Sequence, residues 1–269
     1  AYRDGTVVQL KPGAVPQYKL FLDDSKGRTI SNDWGDIPPI GNAEQLGYPT
    51  QKPLPLLERV ITASSNEGDV VLDPFMGGGT TVVEASAAGR RAVGVDINSL
   101  SVYVSQVKTT PVPPDDVEKV GAWIEVLLQD LNLHRPTARD TSWIELGYQR
   151  NISTRKTWPI RKLLEMSLPT LEILTTNKQR KFARCVLLRT AQWALDCRKE
   201  IPSAADFRKQ LVRSFAEMKQ GASDYASATA QQRGGAAICL HRSASGIEHE
   251  PSIKKLPPPK LVVTSPPYP

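Results

Sequence analysis

Three groups of residues in this chain have the types and spacing to do chemistry. The first is Asp73-Pro74-Phe75-Met76-Gly77-Gly78-Gly79-Thr80-Thr81, which follows the short apolar run Asp69-Val70-Val71-Leu72. That run reads as a strand. Val82 to Ala88 reads as a helix, with Gly89 as its stop. A loop leaving a strand and entering a helix points backbone N–H groups at whatever sits there. Glycines let the backbone come close and take positive φ. No Gly-Lys-Ser/Thr follows, so this is not a phosphate-cradling Walker loop, and the dinucleotide spacing is absent. The second group is Asp96, which ends a strand Arg91–Asp96 where such folds place a carboxylate for ribose hydroxyls. A ligand with a carboxylate, a cation and a ribose would fit both groups, and S-adenosylmethionine has all three. Loop amides and the helix N-terminus would hold the methionine carboxylate. Asp73 would accept from the amino group, and Phe75 would pack against the cofactor. The plain alternative is a tight strand-to-helix turn with glycines for packing. The third group is Ser265-Pro266-Pro267-Tyr268, delivered by the apolar run Lys260-Leu261-Val262-Val263 and Thr264. By itself it reads either as a proline-rich turn or recognition peptide, or as a reactive tetrapeptide.

The elements that must position these groups follow from periodicity. Residues 69–98 read strand–loop–helix–strand, a β-α-β unit of roughly 30 residues with parallel strands. Before it, Leu56, Leu57, Val60 and Ile61 recur at helical spacing, and the helix ends before Asn66-Glu67-Gly68. Residues 99–109 begin the next helix, and Pro111, Pro113 and Pro114 break the chain. Four helical stretches follow, over 115–133, 159–176, 178–199 and 204–220. Their apolar faces include Val120, Trp123, Ile124 and Leu127, then Phe182, Val186, Leu187 and Trp193. The Ala-, Ser-, Gln- and Gly-rich stretch 221–235 reads as a mobile linker. A short strand, Ala237–Leu240, precedes the last one. In the first 47 residues, Thr6–Leu10 and Tyr18–Leu22 are strand-like runs broken by turn signals.

Composition sets outer limits. Hydrophobic residues make up 40% and charged residues 23% of the 269, so a packed core is expected. The formal net charge of +6 suits a polyanionic partner without requiring one. No apolar run approaches the roughly 20 residues of a membrane span. No signal peptide is visible, and a cytoplasmic, nucleoid-associated protein is the expectation. Cys185, Cys197 and Cys239 lack metal-ligand spacing, as do His134, His241 and His249. The cysteines read as reduced thiols and the histidines as surface or structural groups. Arg150, Arg155, Lys156, Arg161 and Lys162 beside Trp158 form one basic run, and Lys178, Arg180, Lys181 and Arg184 another. Either can contact phosphate, and either can be a solvated helix face. Trp123, Trp143 and Trp193 read as core.

Tyr48-Pro49-Thr50-Gln51-Lys52-Pro53, Leu72-Asp73-Pro74-Phe75-Met76-Gly77-Gly78-Gly79-Thr80-Thr81 and Gly94-Val95-Asp96-Ile97-Asn98 closely resemble the cofactor-side motifs of the amino-group (N4-cytosine/N6-adenine) DNA methyltransferases. Residues 30–47, with Trp34, Asp36, Ile37, Pro38, Pro39 and Ile40, resemble the stretch before those motifs in beta-type members. The resemblance covers residues 18–105 and the last nine. It implies an α/β, Rossmann-like S-adenosylmethionine-dependent methyltransferase fold with an incomplete sheet and a helical insertion. It implies cofactor contacts from Thr50, Lys52, Asp73, Pro74, Phe75, Gly77, Gly79, Thr80 and Asp96, with Thr50 and Lys52 near the methionine end. It makes Ser265, Pro266, Pro267 and Tyr268 catalytic, and no metal is implied. The Ser265 hydroxyl and the Pro266 carbonyl would accept the two N–H bonds of an exocyclic base amine. That localises the nitrogen lone pair. Tyr268 would stack on a base flipped from double-stranded DNA. A serine at the first position is commoner among the N4-cytosine enzymes of the family, so cytosine is favoured over adenine. No cysteine lies in a Pro-Cys context, which counts against methylation of the cytosine ring carbon.

The order of motifs departs from the beta type. Cofactor motifs come first and the tetrapeptide last, with about 160 residues between them. The expected organisation is an irregular lead-in over 1–47, ending a target-recognition region, and a cofactor-binding part over 48–110. A helical insertion over 111–235 and a return to the sheet over 236–269 complete it. The chain starts at Ala1 without an initiating Met and stops just after the tetrapeptide. It therefore reads as a fragment, completed by a further C-terminal segment or a partner chain. Two other functions stay open at this stage. One is a non-catalytic, cofactor- and DNA-binding half of a split enzyme. The other is an RNA or protein amide methyltransferase, which Ser265 disfavours because those relatives usually carry Asp or Asn there.

Overall fold

The computed structural model describes residues 7–8, 17–18, 37, 53–134, 154–196, 200–230 and 237–264. Residues 1–53 form one unit and residues 54–269 a second. In the first, β1 (Val7–Val8) pairs antiparallel with β2 (Gln17–Tyr18), Val7 opposite Tyr18.

The second unit is built on a parallel sheet. Helix α1 (Leu54–Ser64) buries Leu57 and Ile61, one turn apart. Strand β3 (Val70–Asp73) follows, then the glycine loop and α2 (Thr80–Ala87), then β4 (Arg91–Asp96) and α3 (Ser99–Lys108). Gly89 at φ +82° ends α2 as expected. β4 pairs with β3 in parallel, Leu72 opposite Val93 and Asp73 opposite Gly94. β5 (Ile238–His241) joins the outer side of β4, with Asp96 opposite His241. β6 (Leu261–Val262) joins the other side of β3, with Leu72 opposite Val262. The sheet order is thus β5-β4-β3-β6. Strands in chain order run outward from β3 in one direction and then return to its opposite side. That is the Rossmann-like arrangement, and its direction changes between β3 and β6. Open α/β sheets bind ligands at the strand C-termini beside such a reversal.

Two apolar clusters hold the unit together. One lies at the sheet: Leu57, Ile61, Val71, Met76, Val82, Ala85, Ala92 and Val102 are buried together. The other fills a helical bundle of α4 (Pro114–Asp130), α5 (Trp158–Ser167), α6 (Asn177–Leu195) and α7 (Ala204–Thr229). Its centre holds Val120, Ile160, Leu163, Val186, Phe207 and Leu211, all essentially inaccessible. The helix ends are well signalled. Pro114 opens α4 with Asp115 and Asp116 in its first turn, where acidic side chains complement the helix dipole. Capping boxes start α6 (Thr176 with Gln179) and α7 (Ser203 with Asp206).

Two sequence expectations are corrected. The helix predicted over 159–176 stops at Ser167, and a single 3-10 turn takes over at Pro169–Ile173. Proline has no N–H for the helical ladder, and its ring clashes with the preceding turn. The linker predicted over 221–235 is helical as far as Thr229, and residues 231–235 lie outside those described. Alanine is the strongest helix former, and Ala222, Ala226 and Ala228 outweigh Gly221. The extension has an anchor as well. The Tyr225 hydroxyl and Ser86 Oγ of α2 share a buried 2.8 Å hydrogen bond. Tyr225→Phe leaves Ser86 without that partner, and the expected loss is about 1 kcal/mol of unfolding free energy. Urea unfolding with an unchanged midpoint would mean that this end of α7 is not docked on α2.

Candidate active site at the strand ends

The glycine loop is held from three sides. From below, Asp73 Oδ1 accepts from the Phe75 N–H at 3.0 Å, a local turn that starts the loop. From β4, the Val95 carbonyl accepts from the Met76 N–H at 3.0 Å, and Asp96 Oδ2 accepts from the Gly77 N–H at 2.9 Å. From α3, Ser105 Oγ donates to the Gly77 carbonyl at 3.3 Å and Lys108 Nζ to the Gly78 carbonyl at 2.8 Å. Within the loop the Gly79 N–H closes a turn on the Met76 carbonyl at 2.8 Å.

Two glycines are required by space. Gly79 sits at φ +78°, and a Cβ there would come within 2.3 Å of Ser105 Oγ and 3.2 Å of the Ser105 backbone. Gly94, in the middle of β4, would meet Met76 Sδ at 2.3 Å and Val82 Cγ2 at 2.6 Å. The loop and α2 therefore lie as close to β4 and α3 as bare backbone allows.

Asp96 stands half-buried at the end of β4. Its Oδ1 accepts from the Asn98 N–H at 2.8 Å, and Asn98 in turn caps α3 by accepting from Leu100 N–H at 2.9 Å. Each carboxylate oxygen has a second lone pair, so Asp96 keeps acceptors for ligand hydroxyls. Around it large apolar side chains face solvent: Phe75, Leu100 and above all Ile97, 77% exposed. Asp73 is buried, and desolvation pushes its carboxyl above the ordinary carboxylate range. Hydrogen bonds from Thr81 and the Phe75 N–H oppose the shift, and the charge of Asp96 adds to it. Desolvation likewise holds the Lys108 ammonium below its ordinary value. A buried carboxylate repelled by a second one is a site that gains from a cationic ligand group.

The structure brings Asp73, Pro74, Phe75, Gly77, Gly79, Thr80 and Asp96 to one end of the sheet. Thr50, Lys52 and Ser265–Tyr268 lie outside the described residues. The strand that leads to Ser265 is described. The Val263 N–H donates to the Leu72 carbonyl at 2.9 Å, so the chain leaves β6 beside Asp73. Sequence reasoning missed Ile97, Ser105 and Lys108. For Ile97 a signal existed, since an apolar residue directly follows the carboxylate that ends a strand. For Ser105 and Lys108 there was none, because their partners are 28 and 30 residues earlier.

The basic runs mostly brace the helical bundle. Lys162 is buried, donates to the Leu133 carbonyl at 2.5 Å and lies 5.3 Å from the Trp158 ring centre. Arg161 pairs with Glu165 at 3.3 Å, and Arg180 donates to the Leu174 carbonyl at 3.0 Å. Lys178 reaches the Pro111 carbonyl at 3.3 Å. Arg155, Lys156 and Arg184 are exposed, and Arg150 is outside the described residues. Trp123 is core, donating to Thr170 Oγ1 at 3.0 Å, whereas Trp193 is half-buried and Trp143 lies outside the described residues. His241 and His249 are exposed, and His241 Nε2 lies 3.1 Å from the Ile97 carbonyl. Among the described residues no helix is long and apolar enough to cross a membrane.

Asp73 makes a pH-dependent contribution to stability. With its folded-state pKa above 3.8, the stability it contributes is complete below that value and is lost as pH rises through the raised one. Asp73→Asn keeps an oxygen for the Phe75 N–H and removes the buried charge. Its melting temperature at neutral pH is expected to rise, with little change at pH 3. A lower melting temperature at neutral pH would show that the charge is fully compensated in the fold.

Comparison with known proteins agrees with this geometry. Residues 2–107 match a family model described as DNA methylase, of the N6/N4 type. The Type II methyltransferase M2.DpnII of Streptococcus pneumoniae is 61% identical over 80 residues, covering 29% of this chain and 30% of the relative. The Type II methyltransferase M.HpaI of Haemophilus parainfluenzae is 44% identical over 97 residues, 35% of this chain and 30% of the relative. The DNA adenine methyltransferase YhdJ of Escherichia coli is 57% identical over 56 residues, 21% of this chain and 19% of the relative. The chain thus spans less than a third of the length of these relatives, and no solved structure matches it significantly. The strand–glycine loop–helix–strand unit and its terminal carboxylate lie within the stretch, residues 2–107, that is similar to the N6/N4 DNA methylase family.

Proposed function

We propose that this chain is the cofactor-binding and catalytic portion of an S-adenosylmethionine-dependent DNA methyltransferase that modifies an exocyclic base amine in a restriction–modification setting. The observation that carries the proposal is the reversal of strand order between β3 and β6. The glycine loop follows one of these strands and Ser265 the other, so cofactor loop and reactive tetrapeptide start from adjacent strand ends.

The residues at the loop fit the cofactor. Asp96 has acceptors left for the ribose hydroxyls. Phe75, Ile97 and Leu100 offer apolar surface for the adenine. The first-turn amides of α2 suit a carboxylate, and Asp73 suits the amino group. Thr50 and Lys52 are assigned to the methionine end, and Pro74 and Thr80 frame the loop. S-adenosylmethionine held there would supply an electrophilic methyl group to the amine nitrogen, whose displaced proton would pass to solvent. Ser265 Oγ and the Pro266 carbonyl accept the amine N–H bonds and localise that lone pair. Pro266 and Pro267 would restrict the backbone of the tetrapeptide. Tyr268 stacks on the flipped base. The DNA would be double-stranded. Ser265 favours N4 of cytosine over N6 of adenine, and it is the only ground for that preference, since the relatives include an adenine methyltransferase.

Titration calorimetry with S-adenosylmethionine, followed by methyl transfer to DNA and nucleoside analysis, tests the reading. Asp96→Asn is expected to weaken cofactor binding about tenfold or more, the worth of one hydrogen bond to a charged acceptor. Unchanged affinity would remove Asp96 from the ribose site. Ser265→Ala is expected to leave that affinity intact and to slow transfer by roughly 10²-fold, as for other groups that stabilise a transition state by hydrogen bonding. Full activity in Ser265→Ala would remove Ser265 from the mechanism. Recovery of N6-methyladenine rather than N4-methylcytosine would overturn the choice of base.

A further inference from the structure

The grip of α3 on the glycine loop does more than fasten it. Ser105 and Lys108 lie at i and i+3, on one face of the helix. They hold two successive loop carbonyls, Gly77 at 3.3 Å and Gly78 at 2.8 Å. A trans peptide points its C=O and its N–H to opposite sides. With the Gly77 carbonyl held by Ser105, the Gly78 N–H is turned away from α3, and Gly78 itself is exposed. With the Gly78 carbonyl held by Lys108, the Gly79 N–H is turned the other way and closes on Met76. Lys108 also brings a positive charge to the underside of the loop, close to the N-terminus of α2, where a helix already favours an anion. On its far side α3 is fixed to the bundle, for the Tyr103 hydroxyl donates to the Lys181 carbonyl of α6 at 3.0 Å. Cys185 and Arg189 of α6 are the groups facing Lys108 from that side. Burial pushes the Cys185 thiol up to about 11, so it stays neutral there.

We propose that Lys108, with Ser105, is a positioning residue for the amino-acid end of the cofactor. The pair orients the Gly78 amide toward the ligand carboxylate, and Lys108 adds the charge that favours it there. The proposal rests on the cofactor reading above and goes beyond it. It separates recognition of the methionine end, governed from α3, from recognition of the nucleoside end, governed by Asp96 and Ile97.

The separation supplies its own test. Calorimetry on the whole chain would compare S-adenosylmethionine with 5′-methylthioadenosine, which keeps the nucleoside and lacks the carboxylate and amino group. Lys108→Met is expected to weaken S-adenosylmethionine binding about tenfold, the worth of one charge-assisted contact, and to leave methylthioadenosine within about twofold. Lys108→Arg, which can still donate to the Gly78 carbonyl, is expected to recover most of the loss. Equal losses for both ligands would mean that Lys108 only supports the fold, and no loss for either would mean that it does not act on the loop; each result overturns the proposal. Should Lys108→Met fail to fold by circular dichroism, Ser105→Ala reads the same ratio of affinities, with the same two overturning results. Wild-type protein that is folded and binds neither ligand would instead sink the cofactor reading, and this inference with it.

Discussion

Everything at the strand ends depends on how closely the glycine loop lies against β4. The Met76 and Gly77 amides bond to the Val95 carbonyl and the Asp96 carboxylate. Such bonds form only if no side chain intervenes. Gly94 leaves the space on the strand side and Gly79 on the α3 side, and at either one a Cβ would overlap its neighbours. One bond to Asp96 therefore couples the end of the second strand to the loop of the first. The carboxylate that orders the loop is the same one proposed to take ligand hydroxyls.

The site carries an electrostatic cost. Asp73 is desolvated within reach of the charge of Asp96, and both effects raise its pKa. A chain built only for stability would place a neutral acceptor there, since the turn onto Phe75 needs only an oxygen. Local conflicts of this kind concentrate where binding needs them. A cationic ligand group placed there would offset the repulsion.

The helical bundle is attached to this arrangement by specific polar contacts as well as by packing. Tyr225 meets Ser86 of α2, Tyr103 meets the Lys181 carbonyl, and Lys178 meets the Pro111 carbonyl. Several cations that read in the sequence as a nucleic-acid surface are spent on such braces, Lys162 and Arg180 among them. The bundle thus supports α3 from behind while α3 supports the loop. Its charge runs are weaker grounds for a DNA contact than their composition suggested.

The sequence by itself determined the β-α-β unit, its glycine loop, Asp96 and most helix ends. These rest on contiguous residues: apolar periodicity, capping side chains, and glycines where φ turns positive. Hydrophobic patterning and local hydrogen bonding act over a few residues, so a short window carries the information. Tertiary structure alone decided what lies beside what. β6 pairs with β3 across most of the chain, which brings the strand before Ser265 next to Asp73. The helix through 221–229 owes part of its order to a partner on α2, which no window around Tyr225 contains. Lys108 reaches the glycine loop only because folding carries α3 back over a carbonyl 30 residues earlier. Packing and long-range hydrogen bonds select among the conformations that local sequence allows, and their partners are set by the whole fold.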